Sequence, residues 1–185
     1  MRKIIVSVWI TLDGVFDADT MHLWFNPYQS EERGKYIYDS ISGSDALLIG
    51  RTTYEMLAGY WPYQQNDDNG PAHSINSMPK YVVSSSLKEA HWNNSTILKG
   101  DFVEQIKKLK QQPGGNILIP GSAGLVHSLM ETDLIDEYQF LVQPIIIGGG
   151  KRFFKDGMPM TALELVKTKT LTLGVTLLCY QRTKK

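Results

Sequence analysis

Hydrophobic and polar positions follow two rhythms along the chain, and the changes between them outline its elements. Lys3 to Ile10 is a nearly continuous run rich in Ile and Val with Trp9, which predicts a central strand buried on both faces, ended by Thr11-Leu12-Asp13-Gly14. From Ser30 to Ile41 the chain is polar and charged, with Tyr36, Ile37 and Ile41 spaced for one helical face. This predicts a surface helix feeding a strand at Ala46 to Ile49. Further strands read at Lys80 to Val83 and Ser95 to Leu98. Asp101 then caps a helix in which Phe102, Val103, Ile106 and Leu109 keep the helical period, until Gly114-Gly115 stop it before a strand at Asn116 to Ile119. The next helix begins near Ser122 and carries Leu125, Val126 and Leu129 inward.

The C-terminal third changes character. Glu137 to Gln143, Ala162 to Thr168 and Val175 to Gln181 are separated by turns rather than helices, and Val175, Leu177 and Cys179 alternate with Thr176, Leu178 and Tyr180. The pattern predicts one α/β domain over residues 1–185, built in three layers: helices on both faces of a mostly parallel central sheet, with an antiparallel strand pair at its C-terminal end. That last pair leaves a sheet edge suited to a homodimer. Gly59 to Met78, rich in Asn, Asp, Gly and Pro, reads as a long loop and a candidate lid.

Composition narrows the function. The 185 residues are 42% hydrophobic, enough for one substantial core, and 19 basic residues balance 19 acidic ones. With no net field and no basic stripe, nucleic acid is not an expected partner. No apolar stretch approaches the ~20 residues that span a bilayer, and Met1 to Ile10 reads as a strand rather than a signal peptide. A single cysteine, Cys179, sits at an inward position and fits a buried thiol in a reducing cytoplasm. The four histidines are dispersed, so no metal site is expected.

Candidate chemistry gathers at strand ends. Ala46-Leu47-Leu48-Ile49-Gly50-Arg51-Thr52 reads as a buried strand that stops at a glycine, followed by arginine at the start of a helix. This is a place to hold a phosphate, because free N–H groups point outward and Arg51 supplies a fork of charged donors. The rival reading is a surface arginine. Two downstream segments repeat the logic: Val82-Val83-Ser84-Ser85-Ser86 and Ile117-Leu118-Ile119-Pro120-Gly121-Ser122-Ala123-Gly124. Gly148-Gly149-Gly150-Lys151 lacks the spacing of a phosphate loop and reads as a flexible loop.

Thr-Leu-Asp-Gly, Gly-Arg-Thr-Thr-Tyr-Glu, Val-Val-Ser-Ser-Ser, Ile-Pro-Gly-Ser-Ala-Gly and Pro-Ile-Ile-Ile-Gly-Gly-Gly occur in that order over nearly the whole chain. The order resembles the dihydrofolate-reductase-like superfamily, and within it the reductase domain of riboflavin biosynthesis. The resemblance implies a dihydrofolate-reductase-like fold that binds NADPH. Gly50, Arg51 and Thr52 would meet the adenosine 2′-phosphate and pyrophosphate, Ser84, Ser85 and Ser86 the ribose phosphate, and Lys99 would flank the adenine. Gly121, Ser122, Ala123 and Gly124 would lie under the pyrophosphate, with Ser122 where the family has a second glycine.

On the catalytic side, hydride transfer needs the nicotinamide held against an electrophilic carbon and a proton source nearby. Asp13 is the candidate acid, with an Asx-type turn as its alternative. Trp24-Phe25-Asn26-Pro27 looks like the Trp-x-x-Pro of folate reductases, which makes Trp24, Pro27 and Tyr28 substrate-side candidates. The acid that follows this motif in those enzymes is Gln29 here, which argues against dihydrofolate itself as substrate. The aromatics Trp24, Phe25, Tyr28, Trp61 and Tyr63 would either line a substrate pocket or cover the sheet edge. The expected function is NADPH-dependent reduction of a small heterocyclic or carbonyl-bearing substrate, and the alternative is a binding module that keeps the fold without the chemistry.

Overall fold

The computed structural model describes residues 1–64 and 70–183. After strand β1 (Ile4–Thr11) come the short helix α1 (Met21–Trp24), α2 (Glu31–Ser42), β2 (Ser44–Gly50), α3 (Arg51–Ala58) and α4 (Pro71–Ser77). There follow β3 (Lys80–Val83), β4 (Ser95–Leu98), α5 (Phe102–Gln111), β5 (Asn116–Ile119) and α6 (Ala123–Met130), and the chain closes with β6 (Glu137–Gln143), β7 (Leu163–Thr170) and β8 (Thr176–Arg182). The strands form one eight-stranded sheet in the order β4-β3-β2-β5-β1-β6-β8-β7. Every pairing from β4 to β6 is parallel, and β8 runs antiparallel to both β6 and β7. This is the α/β architecture that the sequence predicts.

Helices cover both faces. Ile106 and Leu109 of α5 and Leu125, Val126 and Leu129 of α6 pack with Ile4, Val6, Val8 and Ile117 on one side. Ile41, Tyr54 and Ile75, from α2, α3 and α4, meet Leu47, Ile49, Val82 and Leu118 on the other. The alternating Leu177 and Cys179 of β8 join Leu141 in a smaller cluster beside Tyr36 of α2. Burial pushes the Cys179 thiol above its ordinary pKa, as for a structural cysteine.

Local chemistry sets the helix starts. The Ser30 hydroxyl accepts from the Arg33 N–H and the Asp101 carboxylate from the Glu104 N–H, each filling one open donor of a first turn. The expected loop from 59 to 78 is not uniform: Trp61–Tyr63 forms a single 3-10 turn and Pro71–Ser77 is helical. Gly70 caps α4 and Pro71 occupies its first turn, where proline loses no helical hydrogen bond. Residues 65–69 of that segment lie outside the described residues. No helix among the described residues is long and apolar enough to cross a membrane.

Candidate functional site

Parallel pairing brings the C-terminal ends of β2, β3, β4 and β5 to one edge of the sheet, where open α/β sheets bind ligands. A cleft of about 420 Å³ lies there. Gly50, Arg51 and Thr52 come from the first turn, Ser84, Ser85 and Ser86 from the second, Lys99 from the end of β4, and Ser122 and Gly124 from the third. The structure therefore gathers nearly all of the cofactor-side residues singled out in the sequence. Gly121 and Ala123 are absent from the lining, but both flank Ser122 in the same turn.

The cleft has the electrostatics of an anion site. It is lined by two cationic side chains, by hydroxyls from all three turns and, among the described residues, by no carboxylate. Two neighbouring clefts of about 700 and 710 Å³ do carry acids, Glu55 and Glu89 in one and Glu131 and Asp156 in the other. The helices α3 and α6 both begin at this cationic cleft, and neither has a side-chain cap on its first-turn N–H groups. Open amides and the positive ends of two helix dipoles thus face the same space.

The turns are packed against one another. The Gly50 N–H donates to the Gly121 carbonyl at 3.3 Å, and a Cβ at Gly50 would stand 2.2 Å from Ser122 Oγ, so only glycine fits beside this serine. Gly121 has φ of +150°, and a Cβ there would meet Thr53 Oγ1 at 2.7 Å. Ser84 Oγ accepts from the N–H groups of Ser86 and Leu87, so this buried serine shapes the second turn, while Ser85 and Ser86 are exposed. Arg51 Nη1 donates to both carboxylate oxygens of Glu55, at 3.1 and 3.3 Å, one turn along α3. The sequence pattern assigns no site role to Glu55, and it reads the apolar walls Leu98, Phe102 and Leu125 only as strand and helix positions. The four-residue spacing from Arg51 was a usable signal for Glu55; the wall residues carry the same periodicity as core positions.

Asp13 closes the turn after β1 and reaches across to the 147–152 segment. Its carboxylate accepts from the Thr11 hydroxyl at 2.6 Å and from the backbone N–H groups of Gly148 and Ile147 at 2.9 and 3.3 Å, with Arg152 at 3.7 Å. The Thr11 hydroxyl foremost, then the two amides, outweigh burial and hold its pKa below the ordinary 3.8. These contacts anchor the 147–152 segment on the Asp13 carboxylate. The Gly148-Gly149-Gly150 loop is clamped, because the Phe153 N–H donates to the Gly14 carbonyl and Lys151 pairs with Asp17 and Asp19. Asp13→Asn should lower unfolding free energy by about 1–3 kcal/mol at neutral pH. Because the folded pKa is depressed, that contribution is full above the ordinary value and is lost as pH falls through the folded one. The variant and wild type should thus begin to converge only as pH falls below about 4, and meet below the depressed folded pKa, in denaturant titrations.

The substrate-side candidates do not face the cleft. Trp24 is 1% exposed and its indole N–H donates to the Asp17 carbonyl and Thr20 Oγ1, each at 3.2 Å. Pro27 is exposed, and the Tyr28 hydroxyl donates to the Pro144 carbonyl at 3.4 Å. The aromatics also separate: Phe25 stacks on Trp9 at 4.3 Å on one side of the protein, while Tyr63 lines the 700 Å³ cleft and Trp61 packs against the α3–α4 core. Phe25 thus lies over Trp9 of the central strand β1 rather than over a sheet edge.

The model of the RibD C-terminal domain family matches residues 2–177. The chain belongs to the RibD C-terminal domain family. That family is the reductase domain of riboflavin biosynthesis, with a dihydrofolate-reductase-like fold. The chain is 28% identical over 182 residues to the uncharacterised protein YyaP of Bacillus subtilis (strain 168), covering 97% of this chain and 94% of the relative. Its fold is similar to a pyrimidine reductase-like protein from Corynebacterium diphtheriae, with a TM-score of 0.70 and 11% identity over 100% of this chain and 93% of that one. It is also similar to Acinetobacter baumannii RibD, with a TM-score of 0.69 and 14% identity over 99% of this chain and 58% of that one. RibD-like folding thus accounts for the sheet order and for the three turns that close on one cleft.

Proposed function

We propose that this chain is an NADPH-dependent reductase that passes hydride to a small heterocyclic or carbonyl-bearing substrate, pterin- or aminopyrimidine-like. The observation that carries the reading is the cationic cleft where Arg51, Lys99 and the open amides of α3 and α6 converge. Such a donor set fits an extended, multiply phosphorylated nucleotide. NADPH supplies the hydride; the protein binds, orients and shields it. Arg51 and the second-turn serines take the 2′-phosphate, the N-termini of α3 and α6 take the pyrophosphate, and Lys99 flanks the adenine. Asp13, tied to the Ile147 and Gly148 amides, is the candidate that would assist the protonation accompanying hydride transfer.

Glu55 sets the strength of the Arg51 site. An exposed pair one turn apart on a helix contributes about 0.3–0.5 kcal/mol, which a phosphate must displace. Glu55→Gln should therefore tighten NADPH binding about twofold and leave NADH unchanged, as read by isothermal titration.

The reading is tested by following NADPH oxidation with pterins, aminopyrimidines and quinones. Oxidation that depends on one of these classes supports it. A protein that binds NADPH yet oxidises none of it would instead be a nucleotide- or pterin-binding module, the reading favoured by the fully engaged Asp13 carboxylate.

A further inference from the structure

The 147–153 segment that holds the Asp13 oxygens lies outside the strands of the sheet and is fixed by ties of its own. Val15 and Arg152 form an antiparallel bridge, the Phe16 N–H donates to the Lys151 carbonyl at 2.7 Å, and the Phe153 N–H donates to the Gly14 carbonyl at 2.8 Å. This small ribbon reaches the third turn of the cleft and the helix that follows it in two places. The Phe16 ring meets the Phe153 ring edge-on at 5.4 Å, and a Cβ on Gly121 would stand 3.3 Å from Phe16 Cζ, so Phe16 abuts the turn itself. The second tie is His127 of α6, whose Nε2 donates to the Phe153 carbonyl at 2.6 Å. A carbonyl only accepts, so Nε2 carries the hydrogen, and the bond holds in either protonation state of the ring. Phe153 is fully buried, so its carbonyl depends on a protein donor. Of the two polar side chains in α6, Ser128 turns back to the Gly124 carbonyl at 3.1 Å, and His127 alone reaches another segment among the described residues.

We propose that His127 is a positioning residue, which carries nucleotide binding at the third turn across to the segment that holds Asp13. The proposal rests on the reading of the cleft as the NADPH site. The first-turn N–H groups of α6 carry no side-chain cap, so an anion bound there fixes a helix end that is otherwise open. His127 lies four residues past Ala123, one turn or about 6 Å along the helix axis. With Leu125, Val126 and Leu129 packed into the core, this eight-residue helix moves as one piece. Order at its N-terminus is therefore felt at the imidazole, and Phe153 passes it on, through its own N–H, to Gly14 beside Asp13. Rigidifying one end lowers the entropic cost of ordering the other, with no change of shape required. The Asp13 wall is thus set in place once the cofactor is bound. The coupling is reciprocal, so a substrate that orders the 147–153 segment also tightens the nucleotide.

Hydrogen exchange with and without NADPH, resolved to single amides, tests the proposal on the wild type, His127→Leu and His127→Gln. In the wild type NADPH is expected to slow the amides of Phe16, Gly148 and Phe153 about fivefold, although none of these residues lines the cleft. His127→Leu keeps an apolar body but donates nothing, so it should abolish this remote slowing while the amides of 122–125 are still protected. His127→Gln places an amide N–H where Nε2 stands and should keep most of the remote effect, a rescue that a purely space-filling role would not give. Exchange of the β5 amides without nucleotide reports whether each variant is folded. Remote protection that survives in His127→Leu overturns the proposal, as does a glutamine variant that behaves like the leucine one. A wild type protected in the cleft but not at Phe16, Gly148 and Phe153 overturns it too, and leaves the cofactor reading intact. No protection in the cleft itself removes that reading, and this inference with it.

Discussion

Arg51→Ala is expected to weaken NADPH binding about 10–100-fold while leaving NADH binding nearly unchanged. The range follows from the ~1.5–3 kcal/mol of a hydrogen bond to a charged group, with a tenfold change per ~1.4 kcal/mol. Arg51 is the first residue of α3 and lines the cleft, and its guanidinium fork suits a phosphate better than a lysine would. A nucleotide without the 2′-phosphate offers that fork no anion, so the loss should fall on one ligand of the pair. The resting contact to Glu55 is half-exposed and weak, so its removal costs the fold little. Tryptophan quenching or calorimetry with both nucleotides checks the prediction. An equal loss for NADH would mean that Arg51 shapes the turn rather than reading the phosphate.

Lys80→Met is expected to be the most damaging change away from the cleft, lowering unfolding free energy by about 3–5 kcal/mol. Lys80 is 0% exposed at the start of β3, and its ammonium donates to the carbonyls of Asn76, Met78 and Asn93 at 2.7, 2.9 and 3.0 Å. It also lies 4.4 Å from the centre of the Trp92 ring. Burial pulls its pKa down to about 8, so at neutral pH most of the population keeps the charge that three carbonyls require. Methionine fills similar volume but donates nothing, which leaves the ends of α4 and of the segment before β4 without their common tie. Urea denaturation of the variant measures the loss; a shift below about 1 kcal/mol would mean that the carbonyls find other donors.

Where burial and turn chemistry are local, the chain announces its structure. The bounds of β3, β4, β5 and β6 coincide with the apolar runs read from the sequence, and the Asp101 cap sits where its spacing predicts. The cofactor-side cleft was legible for the same reason: each turn follows a buried strand, and parallel strands carry their ends to one edge. The start of α4 at Gly70-Pro71 was masked by a polar composition that resembles a loop. Long-range partners were not legible. Nothing local to Asp13 shows that Ile147 and Gly148 occupy its oxygens, and Trp24 in a Trp-x-x-Pro segment does not reveal that the Asp17 carbonyl holds it inside. The placement of β8 between β6 and β7 is likewise a property of the assembled sheet, and it leaves β7 bare.

The measurement that bears most directly on the cleft is hydrogen exchange of the wild-type protein with and without NADPH, resolved to single amides. The account predicts slowed exchange in three stretches, 50–53, 84–87 and 122–125, with the amides around Tyr63 and His91 at the neighbouring cleft unchanged. Exchange that is the same with and without the nucleotide, or protection confined to other segments, would contradict it.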